Sequence, residues 1–372
     1  MITRRSAIAF LGAAAVLPLP GYGSPGNRLY LNAYGERGGF GLAAFDVQGE
    51  IRYRLILPGR GHSFACRADR ALAVAFSRRP GDYALVFDPA SGAVMQLISA
   101  AQDRYFCGHG AFSADGRVMF ATEVIGSTGD GVAGIYDAAD SWRRIGEYRT
   151  HGLDPHEIRL LPDGRTLAIA NGGILMRADM PRLKLNIPDM DPSLVYLDSR
   201  DGSMIRQVRP ERELRQLSIR HIAIDRYGRV AVAMQYEGPE QDAVPLVALH
   251  DGPDGSDTFR YLPMPEAQRV AMRQYCGSTT VDSTGRFLAV SSPRGNRVLV
   301  WDLASESLVQ AAQARDVCGV AAAEANITST AEAGFILSSG LGGLFRLSAQ
   351  HDMDALAGSG SRLQWDNHMI GV

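Results

Sequence analysis

The sequence predicts an all-β chain folded as a seven-bladed β-propeller, and three observations predict it. A hairpin pattern recurs about every 40 to 55 residues, the period of propeller blades. Each copy is followed by further short strands that alternate apolar and polar residues and end at turn residues, so each unit reads as a four-stranded antiparallel sheet. The two ends of the chain read as complementary parts of one further unit, the last blade, made of N-terminal strands plus a C-terminal strand.

The chain of 372 residues opens with Arg4 and Arg5, followed by Phe10 and Leu11, an apolar stretch reaching Pro18, Leu19 and Pro20, and a small-residue exit at 21–24. This pattern predicts a twin-arginine signal peptide over residues 1–24 and a single propeller domain over 25–372. An ordinary secretion signal or a disordered tail is the plainer alternative. The expected location is the periplasm, and no later stretch is long and apolar enough to predict a membrane span in the mature form.

Residues 28–32, 41–46 and 50–57 read as three strands with no inner strand before them. The repeat follows: 62–70 leads into 71–76, 109–117 into 118–123, 157–165 into 166–171, 221–229 into 230–235, and 278–286 into 287–292, with a weaker copy from Cys318. Asp-Gly pairs such as Asp115-Gly116 and Asp163-Gly164 supply the left-handed backbone that a tight hairpin requires. Third strands such as 194–198 and 298–302, and fourth strands such as 93–98 and 204–208, complete the units. Residues 366–372 supply the missing inner strand, with His368 at the repeat's polar position. One long irregular stretch, 172–191, carries Arg177, Arg182, Lys184 and Asn186 and reads as an ordered loop over one face.

Composition narrows the function. With 46% hydrophobic and 21% charged residues the chain has ample core. A formal charge of −2, falling to about −4 without Arg4 and Arg5, gives no footprint for nucleic acid. Four widely spaced cysteines are not a small-domain disulfide framework, although Cys276 and Cys318 lie in adjoining repeats where one bridge can form.

The repeat register points to a site. At the starts of inner strands stand His62, His109, Glu157, His221, Ser278, Val320 and His368; one residue earlier lie His156, Arg220 and Asn367, and one earlier again Cys107, Cys276 and Cys318. Five of the eight histidines thus fall within one residue of a single repeat position. Imidazole and thiolate bind transition metals, so His62, His109, His156, His221, His368, Cys107, Cys276 and Cys318 are the expected metal ligands, with iron or copper the expected metal. Arg220, Arg294, Asn171 and Gln235 are the expected groups for an anionic ligand or for holding the metal ligands in place. The plainer reading of the same pattern is structural: each blade places one polar group to hold neighbouring loops, and each cysteine is a small core residue beside a glycine. An enzyme, lactonase-like or an oxidoreductase, is a rival reading in which Glu123, His156, Glu157 and Arg220 serve as acid, base and anion-stabilising groups. A pure protein-interaction scaffold is the third. The sequence carries no Gly-x-Ser-x-Gly elbow, no glycine-rich phosphate loop and no Cys-x-x-Cys-His.

The motifs Cys107-Gly108-His109, Asp154-Pro155-His156-Glu157, Ala170-Asn171-Gly172-Gly173-Ile174, Arg220-His221, Ser292-Pro293-Arg294-Gly295 and Trp365-Asp366-Asn367-His368 resemble those of domain-of-unknown-function family fifteen-thirteen, over nearly the whole mature chain. The resemblance implies a periplasmic, surface-layer-like seven-bladed propeller and no assigned activity. It also implies iron-uptake gene neighbourhoods, in which imelysin-like and di-haem peroxidase-like periplasmic proteins are the expected partners. Relatives carry Thr-His-Pro where this chain has Met176-Arg177-Ala178, so a histidine in that loop has no role here. The reading that joins residues and resemblance is a non-catalytic periplasmic propeller that binds a transition metal, or a metal-handling partner, on its channel face.

Overall fold

A computed structural model describes residues 28–177, 180, 183–323, 334–348, 353–360 and 363–372. The expected signal segment 1–24, and Ala178 and Arg182 of the long loop, lie outside the described residues. The fold is all-β, a seven-bladed β-propeller of seven four-stranded antiparallel sheets.

The chain divides into two compact units. One unit holds four sheets. Three are built from consecutive strands: Gly61–Cys66, Ala73–Ser77, Tyr83–Phe87 and Val94–Ser99; Ser278–Val281, Phe287–Ser292, Arg297–Asp302 and Ser307–Gln313; Val317–Ala322, Gly334–Ser339, Leu344–Ser348 and Met353–Ala355. The fourth joins the chain's ends, with Gln364–Gly371 paired antiparallel to Tyr30–Glu36, then Gly39–Phe45 and Ile51–Leu57. Leu31 faces Ile370 in that register, and Leu29 and Val372 exchange two backbone hydrogen bonds. The closure expected from the sequence is therefore present.

The other unit holds three sheets: Arg104–Phe112, Val118–Ile125, Asp130–Asp137 and Arg143–Leu153; Pro155–Leu160, Thr166–Asn171, Ser193–Asp198 and Met204–Val208; Leu217–Ile224, Val230–Tyr236, Val247–His250 and Arg260–Tyr261. A six-residue helix, Glu266–Ala271, follows the last of these. Residues 79–81 belong to this unit too, bridged to it where Gly81 and Phe106 exchange hydrogen bonds.

The hairpin repeat has a direct physical reading. At Asp115-Gly116-Arg117, Asp115 Oδ1 accepts from the Arg117 amide at 3.0 Å, and Gly116 takes φ +68°, a conformation that a side chain would strain. In two of the hairpins the arginine that ends the turn reaches the aspartate that ends the third strand. Arg165 Nε donates to Asp198 Oδ2 at 2.9 Å, and Arg286 Nη2 to Asp302 Oδ2 at 2.7 Å. Both arginines are exposed, so solvent screens each pair, which acts mainly to fix the turn.

Apolar faces between sheets carry the stability. In the three-sheet unit, Ala111, Phe120, Ala133 and Ile135 pack on Ile158, Leu167, Ile169, Val195 and Leu197. In the four-sheet unit, Leu31, Leu42, Tyr53 and Leu55 pack on Phe64, Ala75, Leu85 and Phe87. Among the described residues no helix is long and apolar enough to cross a membrane.

Candidate histidine centre

The sequence placed the histidines at strand starts; His62 and His156 are the second residues of their inner strands, whereas His109, His221 and His368 lie further inside theirs, and all five fall at or beside register shifts. Register shifts fall between Gly61 and Phe64 around His62, between Phe106 and Gly110 around His109, between Pro155 and Glu157 around His156, and between Ile219 and His221 around Arg220. Equivalent shifts occur around Cys318, between Val317 and Val320, and opposite the Asn32–Tyr34 segment, between Trp365 and Met369 around His368. Regular strands send successive side chains to opposite faces, but a bulge inserts one residue and re-aims its neighbours. That is how His156 and Glu157, or Arg220 and His221, all come to be buried and engaged at one end of their sheets.

Within the three-sheet unit, His109, His156 and His221 come together from three consecutive sheets. Ring centroids are 5.2 Å apart for His109 and His156, 4.7 Å for His156 and His221, and 6.0 Å for His109 and His221. A ring nitrogen of His109 lies within 4.8 Å of one on His156 and within 4.8 Å of one on His221. All three are buried. The three rings thus form one buried cluster to which each of three sheets contributes an imidazole, a transition-metal ligand type.

Glu157 organises the cluster. Its Oε2 lies 3.3 Å from His221 Nδ1 and accepts from the Ile222 amide at 3.2 Å, while Oε1 lies 4.0 Å from His109 Nδ1 and 2.7 Å from Arg159 Nε. Burial alone raises its pKa, but Arg159, His109 and His221 together hold the carboxyl well below the usual range. A carboxylate on Nδ1 fixes the proton there and leaves Nε2 with the lone pair, as metal-binding histidines require. Burial, followed by the charges of His221, Arg220, His109 and Arg79, pushes His156 well below the ordinary histidine range, so this imidazole is neutral at pH 7. Burial also lowers His221, against the opposing pull of Glu157.

Beside the cluster, Arg220 is 1% exposed and donates from Nη1 to Asp154 Oδ2 at 2.6 Å. Arg79 donates to the other oxygen of Asp154. Asp154 adopts φ +55° and sits against Gly172, where a Cβ would meet Asp154 Oδ2 at 2.6 Å and Ser218 Oγ at 2.9 Å. Glycine at 172 is thus needed for this carboxylate to occupy its place.

The remaining expected residues of this unit lie as follows. Asn171 donates to Thr150 O at 2.8 Å and to Ser193 Oγ at 3.2 Å, and Gln235 donates to Cys276 O at 3.0 Å; both therefore tie strands together. Glu123 bonds Tyr136 and accepts from Arg144 Nη2 at 2.7 Å, a pairing apart from the imidazoles. Cys107 and Cys276 are buried free thiols, each pushed up to about 12 by burial, with the backbone carbonyls of Tyr105 and Leu246 as their sulfur contacts.

In the four-sheet unit, His62 and His368 meet edge to face with centroids 4.4 Å apart, and His62 Nδ1 lies 3.3 Å from Asp366 Oδ1. Arg60 Nε donates to Asp366 Oδ2 at 2.5 Å. The same device, a buried carboxylate on a histidine Nδ1, thus recurs. Cys318 is a buried free thiol against the carbonyls of Ser338 and Trp365, and Arg294 is exposed in the turn after Ser292. Among the described residues, no cysteine joins a group of three or more metal-binding side chains.

Sequence reasoning missed Asp154, Arg79 and Asp366 as members of these clusters. Asp154 precedes Pro155-His156-Glu157 and Asp366 sits two residues before His368, so proximity to a repeat histidine was the available signal. Nothing in the sequence marks Arg79, which arrives from a distant strand end.

A family model described as "Protein of unknown function (DUF1513)" matches residues 55–372. No curated protein matches the sequence. Among solved structures, hydrazine synthase of Kuenenia stuttgartiensis is similar at 14% identity, over 80% of this chain and 86% of that one, with a TM-score of 0.58. At that identity the likeness is one of fold.

Proposed function

The chain belongs to the DUF1513 family of proteins of unknown function, a membership that brings no activity with it, so we propose a function from its site: an exported propeller that binds a transition metal through His109, His156 and His221. The carrying observation is the meeting of three buried imidazoles from three sheets with Glu157 on the Nδ1 side of two of them. Three nitrogen donors with a carboxylate behind them suit copper, zinc or iron(II) and not the oxygen-seeking magnesium or calcium. Glu157 is committed to Arg159 and to the Ile222 amide, so its role is to orient imidazoles. Periplasmic iron-handling proteins, imelysin-like and di-haem peroxidase-like, are the proposed partners, on the strength of the family resemblance.

The test is metal analysis of the mature chain purified without chelators, then reconstituted with copper, zinc or iron(II). The expected result is about one equivalent of bound metal, lost in a variant carrying His109→Ala and His221→Ala. Absence of metal after reconstitution, or equal uptake by the variant, would remove the proposal.

A further inference from the structure

Arg220 is a buried guanidinium whose partners do not use all of its donors. A guanidinium offers five N–H donors, and its side-on edge, Nε with Nη2, matches the two oxygens of a carboxylate. At three other arginines of this chain that edge is filled. Arg104 gives Nε and Nη2 to Glu147 at 2.8 Å each, Arg209 gives them to Asp191 at 2.7 and 3.1 Å, and Arg286 gives them to Asp302 at 3.1 and 2.7 Å. Those three arginines reach solvent, where water is an alternative acceptor. Arg220 does not: its side chain is 2% exposed.

Asp154 meets Arg220 through Nη1 only. Nε is buried with no hydrogen-bond acceptor among the described residues, and Nη2 stands 3.9 Å from Glu237 Oε1, beyond hydrogen-bond range. Glu237 is itself paired with Lys184, and Asp154 with Arg79. The ion-paired groups around this point carry four positive charges, on Arg79, Arg159, Lys184 and Arg220, against three carboxylates, on Asp154, Glu157 and Glu237. A buried, positively charged, planar donor edge is the arrangement that recognises an oxyanion.

We propose that Arg220 binds a small carboxylate ligand through its Nε–Nη2 edge, beside the histidine cluster. Arg79, whose side chain is 26% exposed, marks the side from which the ligand enters. Arg220 adjoins His221 at the same bulge, and its charge acts on His156. A second polar group of the ligand, such as the other carboxylate of a dicarboxylate, can therefore supply the open fourth position that three imidazoles leave on a metal. Only this bridging role rests on the metal-site reading; the guanidinium edge stands on its own geometry.

The test is calorimetric titration of oxalate into the chelator-treated mature chain, so that no metal competes for the probe. One saturable site is expected in the wild type, weakened at least about tenfold by Arg220→Lys, which keeps the charge and loses the planar fork. Thermal unfolding of the wild type is the second measurement, because it does not depend on the variant folding: oxalate is expected to raise the midpoint more than chloride at equal ionic strength. No saturable uptake by the wild type, equal affinity in the lysine variant, or equal shifts with the two salts would overturn the proposal. Oxalate uptake by a chain that takes no metal would sink the metal-site reading and leave this one standing; metal uptake without oxalate uptake would do the reverse.

Discussion

Glu157 Oε2 lies 3.3 Å from His221 Nδ1, with both side chains almost wholly out of solvent. The contact joins two neighbouring sheets and fixes which nitrogen of the ring carries the proton.

Replacement of Glu157 by glutamine tests that role. The amide keeps the shape and one acceptor oxygen, but it loses the charge that faces Arg159, His109 and His221. Denaturant unfolding of the metal-free chain is expected to show a loss of about 1–3 kcal/mol, and competition with a chelating dye a drop of about 10- to 100-fold in metal affinity. Unchanged affinity with the stability loss intact would mean that Glu157 holds the fold and not the ring orientation.

Removal of residues 366–372 takes away most of the strand that hydrogen-bonds to Tyr30–Glu36, together with Asp366 and His368. The exposed apolar edge then includes the buried faces of Tyr30, Leu31 and Ala33. Size-exclusion chromatography and circular dichroism are expected to show aggregation or loss of the cooperative transition, and a truncated chain that melts like the full one would refute closure as a source of stability.

Acid stability offers a third test. Hydrogen bonds from Arg104 and Arg144 outweigh partial burial and hold Glu147 at about 2, below its ordinary 4.5. The folded state thus favours the ionised form, and the stabilisation is present in full above pH 4.5 and disappears as the pH falls toward 2. With allowance for its partial exposure, wild type is expected to exceed Glu147→Gln by about 1 kcal/mol near neutrality. The gap should close by about pH 2, and a pH-independent gap would show that packing and not charge is responsible.

The architecture was legible because each blade repeats its turn chemistry: Asp115-Gly116-Arg117 and Asp163-Gly164-Arg165 mark hairpins by residue type alone. The convergence of His109, His156 and His221 was legible from repeat register. The bulges were not, because an inserted residue leaves no composition signature, and so His109, His221 and His368, which lie further inside their strands, read as strand starts. The pairing of Asp154 with Arg79 and Arg220 was hidden for a different reason. It depends on the left-handed backbone at Asp154 and on the bare Cα of Gly172, neither of which alternating strand patterns encode. Glu123 shows the converse: a buried carboxylate at a strand end reads as chemistry, yet Tyr136 and Arg144 account for it as a structural tie.

The register that sets Leu31 opposite Ile370 also imposes an order on biosynthesis. Six sheets consist of consecutive strands and can assemble as the nascent polypeptide emerges, but the sheet containing Tyr30–Glu36 must wait for Gln364–Gly371 to leave the ribosome. A product terminated before Gln364–Gly371 therefore carries an unfinished apolar edge that proteases and chaperones can recognise, and only the arrival of that strand silences it.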